Sequence, residues 1–439
     1  MRVAILWHFH QPIYKTPEAY DYVLPWVNYH ATRNYWQMAR LAQDGGWPCT
    51  FNFVPCLLEQ LLDYETGRAR DPWQAALEKD PDDLSASERE IIRLHMPPGS
   101  DPSAWPKKAL REIFSPIDPL PEDRTGLLER QAEIRRRLLP AYGRLEEEGR
   151  AELTASAYYH PILPMLCDAG SAGSQRPPGL DFRHPWDASY QLRRGADLFT
   201  GIFGHAPRGL WPSEGAVSRE TAQLAAEAGF RFAVTDESVL WESLGRGPDP
   251  AALTKPYRCQ DLTVFFRERE LSDLIGFMYA RWEPRDAARD LVRRLAEKAR
   301  EAGEDAVLTL ALDGENPWGT YRDNGVPFLR YLYEGLAAEP SLRPEFFGRA
   351  AAALPAEPLE LAPGTWLGHF GQWSGSPAKN AGWEKLAAAR HACGPVPSIY
   401  VAEGSDWFWW FGEEPHPAFR RLFDLYIEDA YRQAGVRRP

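Results

Sequence analysis

The sequence predicts an α/β barrel with its chemical site at the C-terminal ends of the strands. Three observations carry this reading. Strand-like and helix-like segments alternate from Arg2 onward, which is the pattern of a parallel sheet wrapped in helices. Several strand ends deliver His, Glu, Asp or Trp, the side chains an α/β barrel presents on its active face. The sharpest case is Val307 to Leu312, an unbroken apolar run too short for a typical helix. It stops on Asp313, Gly314, Glu315 and Asn316, and Pro317 forbids further sheet pairing. Asp-Gly is also ordinary turn chemistry. A second carboxylate, Glu214 in the segment GLWPSEG (209–215), stands in a similar place and favours catalysis over a plain turn.

In chain order, Arg2 to Phe9 reads as the first strand and runs into His8, His10, Gln11 and Pro12. Positions 8 and 10 of a strand share a face, so both imidazoles point to one pocket. Residues 31–43 read as helix, Cys49 to Val54 as the second strand, and Leu57 to Tyr64 as helix. From 66 to 150 charge crowds in, with prolines at 97, 98, 102, 106, 116, 119 and 121 marking irregular connections. Ser85 and Glu88 have the spacing of a capping box and start a helix. The stretch reads as a helical insertion on the barrel rim, its charge runs as solvated helix faces.

Strands resume with Ala151 to Ala157, followed by Tyr158, Tyr159 and His160. Residues 186–202 read as helix, and 209–218 as a short segment carrying Trp211 and Glu214. Ser218 is the N-cap of the next helix, with Gly229 closing it. Phe230 to Thr235 and Leu262 to Phe266 read as strands, and Pro284 to Ala302 as an amphipathic helix feeding the Val307 strand. Beyond Tyr321 the chain turns helical, apart from two aromatic loops at 363–375 and 402–414. The Ala/Pro-rich stretch 349–363 reads as a linker.

Composition narrows the function. The 439 residues are 44% hydrophobic, enough for a large barrel domain with additions. A net charge of −12 argues against nucleic acid or an anionic membrane as main partner. No apolar run reaches spanning length, and the N-terminus reads as a strand rather than a signal peptide. Cys49, Cys56, Cys167, Cys259 and Cys393 form no CxxC pair, which suits a reducing cytoplasm and gives no zinc cage. No metal or other cofactor is expected. The excess is aromatic, with 17 Trp, 18 Tyr and 20 Phe, many beside polar residues where flat rings can face sugars.

Two carboxylates, flanking histidines and many indoles fit glycoside hydrolysis, which uses one carboxyl as proton donor and another as nucleophile or base. On chemistry alone Glu315 rivals Asp313 as the acid. The ordered motifs resemble those of glycoside hydrolase family 57, an α-amylase and glucanotransferase family with an incomplete, seven-stranded barrel. They are His8-Phe9-His10-Gln11-Pro12, Tyr158-Tyr159-His160-Pro161, Trp211-Pro212-Ser213-Glu214, Leu312-Asp313-Gly314-Glu315-Asn316 and Ser405-Asp406-Trp407-Phe408-Trp409.

The resemblance implies a (β/α)7 barrel formed by 1–65 and 151–325. A helical insertion at 66–150 and a C-terminal helical region at 326–439, lending aromatic loops to the site, complete the expected organisation. It implies Glu214 as nucleophile and Asp313 as general acid/base of a retaining double displacement on α-glucans or maltooligosaccharides. His10 and His160 would bind the sugar, with His8 a weaker candidate. Trp211, Trp318, Trp373 and Trp409 are candidate stacking platforms, and Asp406 a polar contact. His160 stands where the family's glucanotransferases carry Glu, so the motifs resemble the amylopullulanase and α-amylase branch more closely. A 4-α-glucanotransferase or branching enzyme is the alternative within the family. A zinc-dependent polysaccharide deacetylase using His8, His10 and an Asp, and a non-catalytic glycan-binding protein, are the alternatives outside it. Oligomeric state has no signature in the sequence.

Overall fold

A computed structural model describes residues 1–93, 111–303, 305–413 and 417–438. Ten strands are described: β1 (Arg2–Phe9), β2 (Cys49–Phe53), β3 (Ala151–Ala155), β4 (Gly209–Leu210), β5 (Phe232–Asp236), β6 (Tyr257–Cys259), β7 (Leu262–Arg267), β8 (Val307–Asp313), β9 (Arg343–Pro344) and β10 (Glu357–Pro358). Seven of them, β1, β2, β3, β4, β5, β7 and β8, pair in parallel in the order β7-β5-β4-β3-β2-β1-β8. A further pairing of Arg267 with Thr309 joins β7 to β8 and closes a seven-stranded (β/α)7 barrel, as expected. β6 lies antiparallel on β7, outside the ring, and carries β10.

Strand alternation divides the side chains between two environments. On β1, Trp7 and Phe9 face outward into the helical layer, while Ala4 and Leu6 line the lumen with Val234, Phe265 and Ala311. The register puts His8 beside Asp313 on one side and Asn52 on the other. The lumen is therefore apolar below and polar at its C-terminal mouth. β4 is only two residues long, and its Gly209 is required by packing. A Cβ there would lie 2.2 Å from the Phe232 ring and 2.5 Å from the Thr154 methyl.

Three expectations need correction. The 349–363 linker begins inside a helix, Phe347–Ala353, that closes the barrel floor. Phe347 is fully buried against Phe232 and Phe265, with ring centroids 5.9 and 5.2 Å away. Alanine-rich sequence is good helix former as well as linker composition, and only the presence of a lumen to fill decides between them. The aromatic stretch 402–414 contains a short helix, Ser405–Trp410, that buries Trp407 and Phe408; Glu414 lies outside the described residues. The helix Arg124–Glu147, expected within a rim insertion, lies against the barrel wall. Its Tyr142 packs edge-on against Phe9, Phe51 and Phe53. Its dense charge hid a buried stripe of Leu127, Ile134, Leu138, Tyr142 and Leu145. The Ser85–Glu88 capping box is present, whereas the prolines at 97, 98, 102 and 106 lie outside the described residues.

At the barrel floor, Glu152 accepts hydrogen bonds from Thr50 Oγ1 at 2.9 Å and from the Gly348 amide at 2.8 Å. It thereby holds the start of the floor helix. Burial pushes its carboxyl up from 4.5 to about 7. The folded chain thus keeps a proton that the unfolded chain releases above pH 4.5. That contribution to stability is complete below pH 4.5 and is lost as pH rises to about 7. Glu152→Gln should flatten the decline in thermal midpoint between pH 5 and 7, seen by calorimetry at matched ionic strength. Phe347→Ala leaves a cavity under the lumen and should cost about 3–5 kcal/mol in denaturant unfolding.

Candidate active site

The barrel mouth collects side chains from both halves of the chain. His8 Nδ1 donates to Asn52 Oδ1 at 2.7 Å, and Asn52 Nδ2 donates to Thr154 Oγ1 at 3.2 Å. Ser156 Oγ lies 3.0 Å from Asn52 Oδ1 and 2.7 Å from the Trp211 carbonyl, which carries the polar chain from β1 round to β4. Above this ring the imidazoles stack. His8 and His160 are 5.2 Å apart and His10 and His160 are 3.9 Å apart, at interplanar angles of 21° and 25°.

Partners outside the stack tie each ring down. His10 Nε2 donates to both oxygens of Asp406 at 2.9 and 3.0 Å. His160 Nδ1 and Ser405 Oγ share a hydrogen bond of 3.1 Å, and the same nitrogen lies 3.7 Å from Glu214 Oε1. Burial lowers the His160 pKa well below its usual value, with His10 and His8 adding to the effect. Burial likewise lowers His8 to about 4, against the opposing pull of Asp313. Both rings are therefore neutral near pH 7. His160 Nε2 and Trp211 Nε1 are buried without a hydrogen-bond partner among the described residues, which leaves their polar capacity at the mouth unused.

Glu214 stands on a left-handed turn, at φ 58° and ψ 25°, and His160 has φ 56°. Side chains other than glycine adopt this region at roughly 1–2 kcal/mol, so other contacts must hold it. The Glu214 carbonyl accepts from the Trp366 amide at 3.1 Å, and the His160 carbonyl from the Ser405 amide at 3.0 Å. The carboxylate itself accepts from Trp366 Nε1 at 3.0 Å. Burial pushes the Glu214 carboxyl up to about 7; the Trp366 hydrogen bond opposes the rise, and Asp406 and Asp313 add to it.

Asp313 ends β8 and accepts from Asn316 Nδ2 at 2.8 Å. The next residue, Gly314, has no room for a side chain, since a Cβ would meet the Phe9 ring at 2.2 Å. Glu315 faces away from the mouth and is 2% exposed. Its Oε1 accepts from the His10 amide at 3.0 Å and from Tyr35 Oη at 3.3 Å. Burial, reinforced by Asp313, keeps its carboxyl well above the usual range. Glu315 braces the histidine loop, which separates it from Asp313 on structural grounds.

The tryptophans divide. Trp409 keeps an open face and lies parallel to Trp366, with centroids 6.4 Å apart and planes at 11°. Trp211 is nearly buried, its ring 5.6 Å from His8. Trp318 and Trp373, expected as stacking platforms, are fully buried and offer no face to a sugar. Trp318 packs on Trp7 and donates to the Gly314 carbonyl at 2.7 Å, so it buttresses the Asp313 turn from behind. Sequence reasoning passed over Trp366, nine residues from the start of β10, although its loop stood out as aromatic. It also passed over Asn52 and Arg267, which carry no local motif, and gave no role to Ser405, although it opens the fifth motif.

Ring nitrogens of His10 and His160 and a carboxylate oxygen of Asp406 lie within 4.8 Å of one another. The two rings stack, however, so their in-plane lone pairs run nearly parallel and do not converge on one ion. His8 is committed to Asn52. Among the described residues the set within that reach leaves out His8, which the zinc-deacetylase reading required.

An α/β barrel whose mouth gathers two carboxyl groups beside stacked imidazoles fits the chemistry of a glycosidase-type enzyme. Residues 4–44 and 105–345 match the sequence profile of Glycosyl hydrolase family 57, and the chain belongs to that family. No curated protein sequence matches it significantly. Among solved structures it is similar to a branching enzyme of the family from Thermococcus kodakaraensis, at TM-score 0.70 and 16% identity, covering 98% of this chain and 89% of that one. A branching enzyme from Pyrococcus horikoshii gives 0.67 and 16%, covering 98% and 88%. The α-amylase AmyC from Thermotoga maritima gives 0.65 and 15%, covering 98% and 93%. These likenesses concern the fold. Among the described residues no helix is long and apolar enough to cross a membrane.

Nitrogen NMR of histidine-labelled protein should show His8 and His160 neutral at pH 6, with His8 protonating only near pH 4. Because the unfolded chain binds these protons below about 6.5, the contribution of these two histidines to stability should rise with pH up to that value, opposite in sign to that of Glu152 and seen as the difference from a His8→Asn variant.

Proposed function

We propose that this chain is a retaining hydrolase of α-glucans, acting on α-1,4 and secondarily α-1,6 linkages. The observation that carries the reading is the pairing of Glu214 with Asp313 at one mouth. Asp313 bears electrostatically on both His8 and Glu214, while Glu214 is clamped by Trp366 and flanked by His160. In this reading Glu214 attacks the anomeric carbon and forms a glycosyl-enzyme as Asp313 protonates the departing oxygen. Asp313 then takes the proton of the incoming water. Neutral His160 hydrogen-bonds sugar hydroxyls, the His10–Asp406 pair fixes the ring beside it, and Trp409 offers a stacking face. The C-terminal region 326–439, in this proposal, completes the site by supplying Trp366, Asp406 and Trp409.

Incubation with maltoheptaose, soluble starch and pullulan, followed by product chromatography, tests the assignment. Wild type should yield shorter maltooligosaccharides, unaffected by chelator. Glu214→Gln and Asp313→Asn should each lose activity by about 1,000-fold or more while keeping their thermal midpoints. Longer or branched products would instead support transfer, the activity named for several fold relatives, since a sugar hydroxyl can replace water at the intermediate. If all three glucans stay intact, the α-glucan reading fails.

The nucleophile must be ionised, and burial holds Glu214 near pH 7. The acid limb of kcat/KM should therefore bend near pH 7, falling about tenfold per unit below it. A fluorinated glucosyl donor that stalls the intermediate should label Glu214 in peptide mapping. Label on Asp313 would reverse the two roles, an outcome that the raised pKa of Glu214 makes worth measuring.

A further inference from the structure

Trp366 belongs to none of the sequence motifs, yet its contacts converge on Glu214 from several directions. Its amide donates to the Glu214 carbonyl at 3.1 Å, and its indole Nε1 donates to Glu214 Oε2 at 3.0 Å. Its own carbonyl accepts from Arg269 Nη2 at 2.8 Å. The Arg267 guanidinium lies 6.0 Å from its ring centre, within cation–π reach. Both arginines are anchored on Asp236, which is wholly buried at the end of β5. Trp366 is thus bolted to the ends of β5 and β7, and its two N–H groups face the turn after β4.

We propose that Trp366 is a positioning residue for Glu214, its indole N–H holding one carboxylate oxygen in the ionised form and its backbone holding the left-handed turn beneath. The inference rests on Glu214 as the nucleophile. A carboxylate that spends one oxygen on a fixed donor leaves the other to attack, and its rotation is removed before substrate arrives. A donor to the charged form also counteracts the burial that would otherwise keep the group protonated. Sugar stacking alone would require the ring face and Trp409, and would have no need of the indole nitrogen. Arg269, half-buried and paired with the buried Asp236, holds the Trp366 carbonyl in place.

Trp366→Phe keeps an aromatic ring and removes the donor. Its acid limb in the pH profile of kcat/KM should move up by about one pH unit. At pH 7 kcat should fall about tenfold, with KM changed less than about twofold. A raised KM with the acid limb unmoved would make Trp366 a sugar platform and overturn the proposal. Should the variant fail to fold, wild-type protein labelled at its tryptophan indole nitrogens supplies the readout. One indole N–H resonance should titrate with the midpoint of the acid limb, and Glu214→Gln should abolish that titration. A spectrum in which no indole follows that midpoint overturns the proposal. Azide rescue of Glu214→Ala separates the two levels of inference. Rescue with an unmoved Trp366→Phe profile rejects only the positioning role, whereas absence of rescue rejects Glu214 as nucleophile and the proposal with it.

Discussion

The site depends on two left-handed residues held from outside the barrel. His160 and Glu214 follow consecutive strands of the lumen, and neither is glycine. Each pays a conformational cost, and each has its carbonyl capped by an amide from the C-terminal region, Ser405 for His160 and Trp366 for Glu214. Short bridges beside them, Pro161 with Gly404 and Val217 with Gly364, extend the same contact. The barrel supplies the carboxyl and imidazole groups, and the C-terminal chain holds the backbone that aims them. Asp406 and Trp409 ride on the same segments, so fixing the backbone also fixes the rest of the mouth.

Burial sets the electrostatics around that clamp. His8 and His160 are kept neutral, Glu315 is kept protonated, and Glu214 is brought near neutrality. A carboxyl surrounded by low dielectric and other carboxyl groups resists ionisation, and fixed donors offset that resistance. Glu315 shows the structural use of this. As a neutral acid it binds the His10 amide without repelling Asp313.

The aromatic excess has two uses that composition does not separate. Trp7, Trp318, Trp373 and Trp383 are all fully buried, Trp7 and Trp318 against each other and Trp383 against Phe182 and Phe408. Trp366 and Trp409 are partly exposed and parallel at the mouth. A tryptophan beside polar residues in a loop looks alike in both situations, because the sequence shows its neighbours along the chain and not those across it. The same limitation explains the floor helix at Phe347–Ala353 and the wall helix at Arg124–Glu147. In each, what the residues face is a surface made by distant strands.

The sequence by itself determined the barrel, through apolar runs of strand length that end on polar residues, and it placed Glu214, Asp313, His8, His10 and His160 at those ends. Periodicity and local turn chemistry are encoded over a few residues, so they are legible without the fold. Tertiary structure alone decided that Glu315 is a brace, that Trp318 and Trp373 are core, and that Trp366 reaches Glu214 across 152 residues of chain. Those roles arise from long-range contact and from burial, and burial depends on how the whole chain closes around a point.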